Sequence, residues 1–284
     1  MKSYFKFIVS LIVILSFGTG VKGETIKVKN ENIMSSAQQI DRLQKIKEKG
    51  VLTLLSANDK PYSYDDPKTS LFTGVDADIL REVAKRLGLK KVDVKYTTFP
   101  NAINELIKNP DIDLFAQGIY QTEERKALVN FTNPIYACND AIMVRRDSTI
   151  KSKDDLKNAK IGVLVGTVYE DLAKDWKSKG AIKDYIIFYD DNSVLISLEN
   201  RAIDAILTDS IIAEYNVLFK ENPKFRLLSP NQYKPDINLS VGYPLKKEDV
   251  TLLNAINEKL QEMREDGALY EILAEHGLLG HYIP

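Results

Sequence analysis

The chain has 284 residues, 44% of them hydrophobic and 28% charged, with 39 Lys and Arg against 40 Asp and Glu. This is the composition of a globular protein with material for one large core or two medium ones, not of a disordered chain. The even charge balance argues against a nucleic-acid partner, which needs a basic face to displace counterions.

The N-terminus reads as a targeting segment. Lys2 and Lys6 precede an apolar run from Phe7 to Phe17, and Gly18, Gly20 and Gly23 follow. This is the pattern of a secretory signal peptide over residues 1–23, with Val21 and Gly23 at the −3 and −1 positions. The run is short for a membrane span. Residues 24–36 read as a loose leader. Export places the protein in the periplasm. Cys138 is the only Cys, so a disulfide within the chain is impossible. His276 and His281 are the only His residues and lack close ligand spacing, so they read as surface or tail residues. No metal and no cofactor is expected.

Strands and helices then alternate. Ala37, Ile40, Leu43 and Ile46 recur at helical spacing, and Gly50 stands where a C-terminal Gly stops a helix. Val51–Ala57 is a buried strand, followed by a loop over Asn58–Ser70. Ile79, Leu80, Val83, Ala84 and Leu87 form a helix face closed by Gly88. Val92–Tyr96 is a strand and Ala102–Leu106 a helix. A second alternation has strands at Ile161–Val165, Tyr185–Tyr189 and Ala202–Leu207. Its helices run through Leu172 and Trp176, over Ser193–Leu198, and from near Ser210. The stretch Gly242–Glu248 reads as a turn, and helices over Leu252–Met263 and Leu269–Leu273 close the chain. Such alternation predicts α/β architecture with helices on the sheet faces.

The stretch Asp111–Arg125 concentrates the chemistry. Ile112, Leu114 and Ala116 form a short buried strand, and Gly118 is expected to break it by its backbone freedom. Thr122 reads as an N-cap, with Glu123 and Glu124 in the first helical turn. A helix start at a strand's end suits an anion, and Arg125 can fork two N–H donors onto a carboxylate. On charge alone, pairing of Arg125 with a surface acid is the simpler reading.

Ten pieces in order change that balance. They are Gly50-Val-Leu-Thr, Pro61-Tyr-Ser-Tyr, Thr73-Gly-Val-Asp-Ala-Asp78, Leu87-Gly-Leu, Asp111-Ile-Asp, Thr122-Glu-Glu-Arg125, Phe131-Thr-Asn-Pro-Ile-Tyr136, Ile161-Gly-Val-Leu-Val-Gly-Thr167, Asp204-Ala-Ile-Leu-Thr-Asp209 and Asp266-Gly. Their order and spacing resemble the periplasmic solute-binding proteins of polar amino-acid ABC importers, from about Ile40 to the end. The resemblance implies a type II periplasmic-binding fold: two α/β lobes, each a mixed sheet flanked by helices, joined by two hinge strands. Lobe 1 would hold residues 37–139 and 238–284, and lobe 2 residues 140–237. The chain would cross near Ala137–Ile142 and return near Asp236–Val241, and the lobes would close over ligand by hinge bending.

By the same resemblance Arg125 takes the ligand's α-carboxylate and Asp209 its α-ammonium. Backbone N–H groups near Gly118, Tyr120, Thr167 and Val168 share the anion. Asp204 matches a structural position outside the site. Phe99 matches an aromatic that packs on ligand, with core packing about as good a reading, and Tyr62 either lines the cleft or covers lobe 1. The chain departs from the pattern at Asp59, where an aromatic is common, and at Tyr120 and Val168, where Ser or Thr is frequent. Asp59 near the cleft favours a ligand with a second positive charge, and the competing reading is a solvated loop acid. The implied partners are a small-molecule amino acid and a membrane ABC permease, with the protein a monomer. A dehydratase on the same scaffold, of the cyclohexadienyl or arogenate kind, is the alternative. Its general acid would be Glu170, although a Glu in a first helical turn is ordinary dipole chemistry.

Overall fold

The computed structural model describes residues 41–219 and 224–284. The signal peptide, the leader, and the Ala37 and Ile40 positions of the first expected helix lie outside the described residues. That helix is seen from Arg42 to Lys49. Asp41 caps it by accepting from the Gln44 N–H at 2.9 Å. Gly50 ends it in the left-handed region at φ +71°, its N–H bonded to Ile46.

Two sheets carry the fold. One has five strands in the order Lys91–Tyr96, Val51–Ser56, Leu114–Phe115, Pro244–Leu245 and Asn130–Phe131. All six residues of Val51–Ser56 are buried, as expected of a parallel strand covered on both faces. The helix Val75–Arg86 buries Val75, Ile79, Leu80 and Val83, and the helices Val250–Glu265 and Ala268–Glu275 pack against it. The other sheet runs Asp184–Phe188, Lys160–Leu164, Ala205–Asp209, Ala137–Arg145, Asn238–Gly242 and Ile119–Tyr120, with Phe225–Leu227 also on Ala137–Arg145. Mixed sheets flanked by helices are the type II periplasmic-binding architecture that the resemblance implied.

The long strand Ala137–Arg145 pairs antiparallel with Asn238–Gly242, Ala137 opposite Ser240 and Asn139 opposite Asn238. These are the two segments expected to cross between lobes. Asp76, fully buried at the start of its helix, ties them to the five-stranded sheet. It accepts from the Gly118 N–H at 2.8 Å, the Tyr136 hydroxyl at 2.9 Å and the Tyr243 hydroxyl at 2.8 Å. Burial pushes its carboxyl up to about 7 despite those donors.

Three expectations are corrected. Gly118 does not take a positive φ; it is needed for close approach, since a Cβ there would stand 2.8 Å from the Tyr136 hydroxyl and from Val241 Cγ2. The Gly242–Glu248 stretch is not a simple turn, because Pro244–Leu245 pairs with Asn130–Phe131 and Leu114 inside the five-stranded sheet. His281 is no surface residue. It is 7% exposed, with Nδ1 2.9 Å from the Ala137 carbonyl and Nε2 3.0 Å from Glu214. His276 Nε2 likewise reaches Asp78 at 2.7 Å.

Candidate functional site

A cleft of about 340 Å³ opens where the two sheets' loops meet. Its lining includes all nine expected ligand-binding residues: Asp59, Tyr62, Phe99, Gly118, Tyr120, Arg125, Thr167, Val168 and Asp209. Strand ends and helix starts supply nearly all of them, which is where an α/β sheet leaves side chains and N–H groups uncommitted.

Arg125 stands in the helix Glu123–Leu128, whose N-cap Thr122 accepts from the Arg125 N–H at 3.3 Å. Its guanidinium donates to the Tyr120 carbonyl at 3.1 Å and the Gly166 carbonyl at 3.3 Å, and lies 5.8 Å from the Phe99 ring centre. No carboxylate pairs with it among the described residues. Burial draws its pKa down from the usual guanidinium range. A half-buried cation held by neutral carbonyls and an aromatic face still lacks the anion that would balance it.

Asp209 ends the strand Ala205–Asp209 and is 8% exposed. Its Oδ1 caps the next helix, accepting from the Ile212 N–H at 2.7 Å, and also accepts from the Tyr62 hydroxyl at 2.7 Å. Burial raises its pKa from the carboxylate norm. Sequence reading missed this capping duty, because a strand-end Asp carries no mark of the helix that follows. Asp204 accepts from the Lys160 N–H at 2.8 Å and lies outside the cleft lining, in keeping with a structural role.

One of the expected backbone donors is occupied elsewhere: the Gly118 N–H serves Asp76. The Thr167 hydroxyl donates to the Leu164 carbonyl at 2.7 Å. The helix start at Val168 and Tyr169 remains on the cleft wall. The Tyr120 hydroxyl accepts from Tyr169 at 2.9 Å, so its ring replaces a small hydroxyl residue with a contact that spans the cleft. Glu170 is outside the lining and accepts from the Gly166 N–H at 2.8 Å, a local helix-start bond.

Asp59 is not a solvated loop acid. It lines the cleft, and burial together with the Asp191 charge, partly offset by the Gln117 amide, pushes it up to about 7. Gln117 and Asp191 are cleft residues that sequence reading did not single out. Gln117 is 4% exposed, and its Oε1 is buried without a partner among the described residues. Asp191 directly follows the N-cap Asp190, a placement that looks like ordinary capping.

The family model of bacterial extracellular solute-binding proteins, family 3, matches residues 52–278. A probable histidine-binding protein of Campylobacter jejuni is 29% identical over 78% of this chain and 82% of its own. The L-cystine-binding protein TcyJ of Escherichia coli K12 is 30% identical over 80% of this chain and 82% of its own. Among solved structures, an ancestral arginine-binding protein bound to arginine superposes with a TM-score of 0.70 at 28% identity, over 80% of this chain and 97% of that one. With its family match spanning most of the chain, and a cleft built at the junction of two mixed sheets, the chain belongs to the bacterial extracellular solute-binding proteins, family 3.

Proposed function

We propose that this protein is the periplasmic amino-acid-binding component of an ABC importer and that it prefers a cationic amino acid. It is a binding protein rather than an enzyme, as its curated relatives are. Arg125 holds the ligand's α-carboxylate and Asp209 its α-ammonium, with Phe99, Tyr62, Tyr120 and the Thr167–Val168 helix start closing around them. Lobe 1 (residues 37–139 and 238–284) and lobe 2 (residues 140–237) shut over the ligand, and the monomer hands it to a membrane permease. Residues 1–23 direct export.

The observation that carries this reading is the polarity of one cleft. It presents a guanidinium without a carboxylate partner among the described residues, together with the acids Asp59, Asp191 and Asp209. A zwitterion with an extra positive charge complements that pattern. The solved neighbour bound to arginine agrees with it, while relatives named for histidine and L-cystine leave other ligands open for the family. Calorimetric titration of the purified protein with arginine, lysine and glutamine tests the proposal. Arginine or lysine should bind at least about tenfold more tightly than glutamine, a difference of about 1.4 kcal/mol. Equal affinities would remove the cationic preference, and no binding of any amino acid would remove the function.

A further inference from the structure

Asp59 and Asp191 approach the cleft from different walls. Asp59 sits in the loop after the strand Val51–Ser56, and Asp191 opens the helix Asp191–Glu199 beyond the other sheet. The charged groups around them also make bonds of their own. Asp190 caps that helix, accepting from the Ser193 N–H at 2.9 Å and the Ser193 hydroxyl at 2.6 Å. Asp209 is committed to Ile212 and Tyr62. Lys60, beside Asp59 in sequence, lies over the Tyr64 ring at 4.8 Å. Asp191 is the charge that acts most strongly on Asp59, ahead of Asp209.

We infer that Asp59 and Asp191 bracket the ligand's side-chain cation from the two walls, which makes Asp191 a specificity-determining residue and couples cation binding to the release of a proton. The inference rests on the cationic reading above. Two carboxylates on facing walls of one cleft repel each other, and either a proton or a cation relieves the repulsion. A neutral ligand leaves the proton in place, whereas a cationic one displaces it. The buried Gln117 Oε1, still lacking a donor among the described residues, stands on the same cleft and can accept from the ligand's N–H.

The groups that face Asp59 set the sign. The Gln117 amide stabilises its carboxylate, while burial, Asp191 and Asp209 stabilise its acid form, which holds its proton up to about pH 7. A bound cation favours the carboxylate. Affinity for a cationic ligand therefore rises with pH through about 7 and levels off above it.

The test is calorimetry with arginine and glutamine at pH 5.5 and 8, in two buffers of different ionisation enthalpy. The proteins are wild type, Asp191→Asn and Asp191→Glu, each checked for folding by a melting curve. Wild type should bind arginine about tenfold or more tightly at pH 8 than at pH 5.5, releasing protons at pH 5.5 and few at pH 8, with glutamine nearly indifferent to pH. Asp191→Asn should lose at least about fivefold in arginine affinity at pH 8 and release fewer protons at pH 5.5. It should leave glutamine within about twofold, and Asp191→Glu should restore arginine binding. If Asp191→Asn keeps arginine within twofold of wild type and releases as many protons, the bracket is overturned while the cationic reading stands. A wild type that binds glutamine as well as arginine overturns both.

Discussion

Arg125 and Asp209 differ in what each gives the fold. Among the described residues the Arg125 guanidinium meets only carbonyls and the Phe99 face, so on the proposed reading removing it deletes a ligand contact and little else. The Asp209 carboxylate also caps the helix Ser210–Glu214 and receives the Tyr62 hydroxyl. Arg125→Ala should therefore cost about 2–5 kcal/mol in binding, the cost of leaving one end of a desolvated zwitterion unpaired. Asp209→Ala should cost as much in binding and a further ~1 kcal/mol in stability without ligand, for the lost cap. Calorimetry and melting curves on the two variants separate these effects. Two variants that each bind within about threefold of wild type would refute the clamp. The cleft positions of Arg125 and Asp209 were legible in the sequence through the ordered family pieces to which Thr122-Glu-Glu-Arg125 and Asp204–Asp209 belong. Gln117 and Asp191 were not, since their meaning depends on which distant loop each one faces.

At the scale of elements, the loop that carries Asp59 and Tyr62 is held by the start of the helix Val75–Arg86. The Val75 and Asp76 N–H groups donate to the Pro61 and Tyr62 carbonyls at 3.0 and 2.9 Å. Gly74 makes this approach possible. It sits at φ +116°, and a Cβ there would stand 2.4 Å from the Tyr62 carbonyl oxygen and 2.7 Å from that of Pro61. Backbone atoms cannot give way as a flexible side chain does. Gly74→Ala should cost at least about 2 kcal/mol and displace the cleft loop, so that ligand affinity and stability fall together. Denaturant unfolding and titration of the same variant check this, and a variant with unchanged binding would show that the loop is held by other contacts. Strong periodicity made most helices and central strands readable, as at Ile79–Ala84 and Val51–Ser56. The two-residue strands Tyr64–Asp65 and Phe72–Thr73, and Pro244–Leu245 beside them in kind, escaped notice. Pairings that short are set by tertiary neighbours and leave no period to read.

Across the whole molecule, three hydrogen bonds at the cleft link residues of the proposed lobe 1 to residues of the proposed lobe 2: Tyr62 to Asp209, Tyr169 to Tyr120, and Arg125 to the Gly166 carbonyl. If the lobes hinge as proposed, parting them breaks these bonds, and the bonds then weigh on the balance between open and closed forms in the same way that ligand does. The double variant Tyr62→Phe, Tyr169→Phe loses two of them while keeping its ring contacts. Without ligand it should scatter X-rays as a more expanded particle than wild type, and saturating ligand should shrink it further than it shrinks wild type. Identical scattering curves would exclude these bonds from the closing equilibrium. The floor of the same cleft carries Cys138, 2% exposed and the only thiol in the chain. Burial and nearby acids push its pKa well up, so the molecule presents a protonated, shielded sulfur to any alkylating reagent. On the proposed hinge, each parting of the walls would uncover it for a moment, and a reagent that struck then would leave a permanent mark. The native chain would thus carry its own stopwatch: the pace of thiol labelling should count how often the cleft opens, and a ligand that keeps it shut should slow the count.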